Sequence, residues 1–284
     1  MKLRHILAAT DESDAGRQAV RTAMDLATRA SARISVLRVL ATESTRRLVS
    51  AGVGSGNGRD ETARKYLRRW LEADVLSPEQ TSTVEVATVA GIPGIEICRF
   101  AEESGADLLV LGRKQHSRMM RLLLGDTADA VARRSRVPCL FTPPGSGEVR
   151  SILVALDGSE RGINVLSEAC DFARDVDAGI GVMTVERGPR DEPLQIVSEL
   201  PVARSSSLQK RVQEVLRRKS MSDTPLAIRR GEILERVLAE IQETRADVLA
   251  IGYHRGGPPG LVDAGSIARR LAHVAPCAVL TIPL

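Results

Sequence analysis

Two stretches of this sequence place glycines where a backbone could cradle an anion. Gly112 and Gly125 bracket RKQHSRMMRLLL, and Gly252 and Gly265 bracket YHRGGPPGLVDA. Each leading glycine ends a short apolar run, LLVLG or VLAIG, and each trailing glycine precedes a residue suited to open a helix, Asp126 or Ser266. A glycine lets the backbone come close to a bound anion. The first amides of a helix lack internal partners and carry the positive end of its dipole, worth ~0.3–1 kcal/mol when exposed and about 2 when partly buried. Two carboxylates, Asp11 and Asp157, stand just past the strand-like runs HILAAT and SILVAL.

Other chemistry is harder to find. AGVGSGNGRD (51–60) misses the GxGxxG spacing and follows no strand directly, so it reads as a loop. No GxxxxGK[ST] is present, which removes P-loop hydrolysis. The four histidines, His5, His116, His254 and His273, form no metal spacing; His116 and His254 fall in the glycine loops and read as solvated. Ser13 and Ser159 sit two residues after the strand-end Asp in each stretch, positions suited to helix capping. Cys98, Cys139, Cys170 and Cys277 form no CxxC and read as buried thiols of a reducing compartment.

The elements that must position these residues come twice. RHILAATDESDAG aligns with RSILVALDGSERG at an offset of 146, and residues 91–112 align with 231–252 at an offset of 140, an offset that Gly125 and Gly265 keep. Repetition on this scale means a duplicated domain. TPPGSGEVR (142–150) has linker composition, so the halves are expected over 1–143 and 149–284. In the first half the pattern predicts strands over 5–10, 33–40, 83–90, 106–112 and 137–143, with helices over 14–32, 58–76, 93–104 and 126–134. In the second it predicts strands over 151–156, 179–185, 225–230, 246–252 and 277–283, with helices ending near 177, spanning 205–219, and starting at 232 and 266. Such alternation implies an open parallel sheet with helices on both faces. Ligands of these sheets collect beyond the C-terminal strand ends, where the strand order reverses. Asp11, Asp157, Gly112 and Gly252 all belong to those ends.

Composition agrees. Of 284 residues 43% are apolar but only 2% aromatic, so the cores must be aliphatic, which suits buried parallel strands and not a base-stacking surface. The net charge is only +4, and the Arg pairs are spread along helix-like segments, which points to solvated faces and away from nucleic acid. No stretch approaches the ~18 apolar residues of a membrane span, and the N-terminus is no signal peptide; a cytoplasmic protein is expected.

With these residues in view, nearly the whole chain resembles two tandem domains of the universal stress protein family. The resemblance implies a Rossmann-like α/β fold of the adenine nucleotide alpha hydrolase type. The nucleotide-binding members carry Gly, two residues, Gly, nine residues, Gly, then Ser or Thr. They also carry an Asp at the end of the first strand on the adenosine side and a Val at the end of the second strand near the base. In the first half Asp11, Val39, Gly112 and Gly125 match, but Gln115 replaces the second glycine and Asp126 the hydroxyl residue. Like charges ~4 Å apart at an effective dielectric near 20 repel by about 4 kcal/mol, more than the helix end returns. The cations Arg113, Lys114, Arg118 and Arg121 could offset this, though loop cations usually point to water; otherwise the site would be collapsed, with Asp126 only capping its helix. In the second half Asp157, Val185, Gly252, Gly265 and Ser266 match, followed by Ile267 inside the helix, and only Arg255 departs. The second half is therefore the better site for ATP or another adenine nucleotide.

Three functions follow. One is a module that binds an adenine nucleotide as a signal in stress response. Another is a nucleotide-free interaction scaffold with both sites degenerate. The third is an enzyme, a slow ATPase or an adenylating relative on the same architecture; it rests on fold analogy alone, and no general base stands beside either loop, so at most slow ATP hydrolysis is expected. The resemblance also implies that the last strands, 137–143 and 277–283, pair within one chain around a pseudo-twofold axis, protecting two edges. A homodimer of chains and the identity of any protein partner are not readable from the sequence.

Overall fold

The computed structural model describes residues 2–40, 60–113, 126–186, 202–254 and 267–284. The first half runs β1 (His5–Thr10), α1 (Asp14–Ala30), β2 (Arg33–Leu40), α2 (Asp60–Trp70), α3 (Pro78–Ser82), β3 (Val84–Ala90), α4 (Pro93–Glu103), β4 (Leu108–Gly112), α5 (Asp126–Arg134) and β5 (Cys139–Thr142). The second half runs β6 (Ser151–Leu156), α6 (Glu160–Asp175), β7 (Gly179–Glu186), α7 (Val202–Arg218), β8 (Leu226–Arg230), α8 (Ile233–Thr244), β9 (Val248–Tyr253), α9 (Ile267–Val274) and β10 (Ala278–Pro283). All ten strands join one sheet in the order β3-β2-β1-β4-β5-β10-β9-β6-β7-β8. Every pairing is parallel except β5 with β10. The expected pairing of the last strands is therefore what fuses the two sheets.

The register of that seam follows from the duplication. Leu140 lies opposite Leu280, with Phe141 against Val279 and Cys139 against Thr281. At the offset of 140, Leu280 is the counterpart of Leu140, and the flanking pairs exchange under the same relation. The pseudo-twofold axis therefore passes between Leu140 and Leu280, both fully buried.

Helices cover both faces. One core packs α1, α2, α6 and α7 on the sheet through residues such as Leu26, Leu67, Leu166 and Val212; the other packs α4, α5, α8 and α9 through Ile97, Val131, Val237 and Leu271. Each core contains residues of both halves. Polar ties reinforce the join: Leu3 N donates to Asp175 Oδ2 at 2.7 Å, and the Arg29 guanidinium donates to the carbonyls of Val149 and Asp177.

Boundaries differ from expectation where local chemistry intervenes. The first helix stops at Ala30 because Ser31 turns left-handed, and its amide bonds back to the Ala27 and Thr28 carbonyls. The helix expected over 58–76 ends instead in a π-turn, Leu71–Val75, where Arg21 reaches the carbonyls of Asp74 and Val75. Ser77 then opens α3 with a reciprocal capping box to Gln80, a signal in plain view that the periodicity reading passed over. The glycine-rich stretch 51–59 and, of the two glycine loops, residues 114–125 and 255–266 lie outside the described residues. Among the described residues no helix is long and apolar enough to cross a membrane.

The thiols are free. Cys98, Cys139 and Cys170 are buried as expected, whereas Cys277, one residue ahead of β10, is partly exposed. Burial pushes all four up, to about 11 for Cys98, Cys170 and Cys277 and about 12 for Cys139. They should therefore react slowly with a thiol-exchange dye at pH 8 until the chain is unfolded, Cys277 first, as timed release of the chromophore will show.

At the foot of β1, His5 Nε2 shares a 2.8 Å hydrogen bond with Ser35 Oγ, and Nδ1 faces the Ser104 carbonyl at 3.2 Å. Burial, helped by Arg33, holds this imidazole below its ordinary value. The unfolded chain therefore takes up the proton first, so stability should fall as pH drops through about 6.5. Urea midpoints measured between about pH 7.5 and 5.5 should show that slope, and His5→Gln should reduce it.

Candidate functional site

The strand order reverses between β1 and β4 in the first half and between β6 and β9 in the second. Each crevice opens beyond the C-terminal strand ends, where the sequence places Asp11 with Gly112 and Asp157 with Gly252. Both crevices are open cavities, of about 430 Å3 and about 480 Å3 respectively.

The same local construction holds both carboxylates. In the second half, Asp157 Oδ1 accepts from the Ser159 amide at 2.9 Å and from Ser159 Oγ at 2.7 Å. Ser159 Oγ in turn accepts from the Gly162 amide at 3.0 Å, capping α6. In the first half Asp11 Oδ1 accepts from the amide and hydroxyl of Ser13, and Ser13 caps α1 through Gly16. The serines are thus helix caps, as expected, and they also orient the carboxylates.

Gly16 and Gly162 belong to this construction and were missed by sequence reasoning, although both stand five residues after the Asp. A Cβ on Gly162 would lie 2.6 Å from Asp157 Oδ1, and one on Gly16 would lie 2.6 Å from Thr10 Oγ1 and 3.0 Å from Asp11 Oδ1. Only glycine lets the helix start so close under the carboxylate.

In the second half Asp157, Val185, Gly252 and Ile267 all line the cavity. Met183, Ile233, Val237 and Leu271 complete a largely apolar wall that the motif does not contain, with Thr184 and His254 as further polar groups. Arg255, Gly265 and Ser266 lie outside the described residues. In the first half Asp11, Val39 and Gly112 line the cavity together with Pro93, Ile97, Asp126 and Thr127. Gly125 and Gln115 lie outside the described residues.

Two expectations for the first half need correction. The cavity is not collapsed. Nor does Arg113 point to water: it is buried, and its guanidinium donates to the carbonyls of Ala272 (2.8 Å), His273 (3.3 Å), Ala275 and Cys277 (3.2 Å) at the end of α9. Burial holds it below the ordinary arginine value. The negative end of that helix and four carbonyls outweigh solvation by loop water, so Arg113 is spent on the seam and not on a ligand. Asp126 is exposed, so its repulsion toward a phosphate falls from the ~4 kcal/mol of a partly shielded pair toward the ~1 kcal/mol of bulk water.

The cavities differ electrostatically at their helix starts. The first turn of α5 carries Asp126 and Asp129, whereas the first turn of α9 carries no acid. Asp129 is buried and paired, leaving Asp126 as the helix-start carboxylate on the cavity wall, which it shares with Asp11. The first half also holds Glu12 at φ 62, where its counterpart is Gly158 at φ 76. A 2.6 Å ion pair to Arg38, which stacks over Tyr66, holds Glu12 there, and its carboxyl is raised by burial against the opposing pull of Arg38.

The Universal stress protein family matches this chain twice, over residues 2–143 and 148–283. The chain belongs to that family. A universal stress protein of Methanocaldococcus jannaschii is 27% identical over 141 residues, 48% of this chain and 79% of its own length. Among solved structures, a universal stress protein from Archaeoglobus fulgidus aligns with 100% of this chain and 99% of its own at a TM-score of 0.74 and 17% identity. A functionally unknown protein from Pseudomonas aeruginosa aligns over 99% and 92% at 0.58 and 15%. At such identities the likeness is one of fold, and the tandem arrangement is shared over the full length.

The two strand-end glycines of this universal stress protein are not equivalent in their surroundings. A Cβ on Gly112 would lie 2.1 Å from the Ala15 carbonyl oxygen, a backbone atom. On Gly252 it would meet side-chain methyls of Leu284 and Val165 at 2.9 and 3.0 Å, which can shift. Gly112→Ala should therefore cost about 1–3 kcal/mol and Gly252→Ala distinctly less, read from urea denaturation midpoints.

Proposed function

We propose that this universal stress protein binds an adenine nucleotide in the cavity of its second half and carries it as a signal in stress response. The observation that supports this most is the wall of that cavity. A turn-held carboxylate stands on one side, an aliphatic slot on the other, and a helix start free of acid closes the anion end. The residues present fit the group. Asp157 would take the adenosine side, Val185 and Met183 the base, and the first turn of α9 at Ile267 the phosphates, where the helix dipole contributes ~0.3–1 kcal/mol or more. The nucleotide itself would supply charge and shape to be read and, on this proposal, at most slow hydrolysis. The first-half cavity is the weaker site for a polyphosphate, because Asp126 stands at its helix start and Arg113 is engaged elsewhere. A cytoplasmic setting accords with four free cysteines.

Calorimetric titration of the full chain with ATP tests this reading. The expected result is about one nucleotide per chain. Val39 and Val185 occupy corresponding places in the two cavities, so Val185→Trp should abolish the heat and Val39→Trp should leave it. Asp157→Ala should weaken binding about 10–100-fold, the loss of a hydrogen bond to a charged group. A flat trace from folded protein would leave the scaffold reading standing, and loss in Val39→Trp alone would move the site to the first half.

A further inference from the structure

The duplicated halves face each other across the seam with positions that would meet their own copies in a symmetric pair. At the offset of 140, Asp129 on α5 corresponds to Arg269 on α9, and these two residues meet. Arg269 Nε donates to Asp129 Oδ1 at 3.1 Å, and its Nη2 donates to Oδ2 at 3.3 Å. The next turn repeats the relation. Arg133 corresponds to His273, and both flank the same carboxylate, at 2.9 and 3.9 Å. Asp129 is buried, and its side chain is 10% exposed.

The second element of the seam diverges in the same complementary way. Arg113 inserts among the carbonyls of Ala272, His273, Ala275 and Cys277, whose counterparts are Ala132, Arg133, Ser135 and Val137. The counterpart of Arg113 is Tyr253, also buried. On the first-half side the Val137 carbonyl is already satisfied, because Ser135 Oγ donates to it at 2.7 Å. On the second-half side position 275 is alanine, which has no such hydroxyl. One half supplies the guanidinium and the other the open carbonyls.

We propose that this seam is a heterotypic interface: the β5–α5 face of the first half accepts the β10–α9 face of the second half and refuses a copy of itself. Pairing two first halves would set Asp129 against Asp129, each with its own Arg133 but without the cross-seam fork of Arg269, and bring Arg113 to a carbonyl that already accepts from Ser135 Oγ and Cys139 Sγ. Pairing two second halves would set Arg269 against Arg269 and leave the carbonyls around Ala275 without their guanidinium. Like charges forced together under burial are the device by which an interface rejects a wrong partner. The partner of each face is therefore the complementary half of this chain, held beside it by the linker and specified by side chains as well as by tethering.

The test uses the whole folded chain with a protease site placed at 144–147 and cut after folding. Native mass spectrometry and dilution should find the two pieces associated one to one, with no pair of like pieces. Asp129→Arg and Arg269→Asp should each raise the dissociation constant of the cut protein at least about tenfold, and combining them should recover part of that loss. Should either reversal prevent folding, Asp129→Asn removes the charge while keeping the shape and is expected to weaken the cut complex in the same direction. Pairs of like pieces, an Asp129→Asn complex as tight as the wild type, or a double reversal no better than the worse single one would each overturn the proposal.

Discussion

The antiparallel pairing of β5 with β10 is the constraint on which the rest of this structure depends. Each half alone is a five-stranded parallel sheet whose last strand would present a row of unpaired amides and carbonyls to solvent. Joined at Leu140 and Leu280, the two edges vanish and both helical layers run on across the seam. The open edges move out to β3 and β8, far from the helices that follow the glycine loops. Those helices, α5 and α9, are brought side by side at the axis. The C-terminal strand ends of the two halves point to opposite ends of the sheet, because β5 and β10 run antiparallel.

That arrangement lets duplication produce asymmetry. Two identical copies would have to satisfy one another with the same residues, which forbids burying a single charge at the axis. Once fused, position 129 can be acidic while position 269 is basic, and Asp129 is held below the usual carboxylate range because His273, Arg133 and Arg269 outweigh the cost of burial. The same freedom separates the cavities. Arg113 leaves the first cavity to clasp the second half, and Asp126 takes the place of the hydroxyl residue at that helix start. The second cavity keeps an acid-free helix start and an aliphatic wall. On the reading proposed above, the residue that ties the seam is one that the first site does without.

Much of this was legible from residues close in sequence. The offset of 146 between the DESDAG and DGSERG segments located both carboxylates, and period and glycine placement located the strands that end beside them. Asp11, Val39 and Gly112 come together in the first half, and Asp157, Val185 and Gly252 in the second, because each trio stands at the C-terminal ends of parallel strands of its own half. What was not legible depends on distant partners. Nothing in GRKQHS says that Arg113 turns away from its own loop, since the carbonyls that draw it there lie about 160 residues later. The cavity walls from Met183, Ile233 and Leu271 read only as core periodicity, because the same apolar residue lines a pocket or fills a core according to what packs opposite. Gly16 and Gly162 were visible as a repeated letter, but their reason is a distance of 2.6 Å that only the folded turn displays.

Amide hydrogen exchange on the full chain, with and without ATP, bears on the whole account at once. The amides of Leu140 and Leu280 should be among the slowest in both states, and ATP should add protection at 157–162 and in the first turn of α9 while leaving 11–16 and α5 unchanged. Seam amides that exchange as fast as those of the outer strands β3 and β8, or added protection confined to the first half, would contradict it.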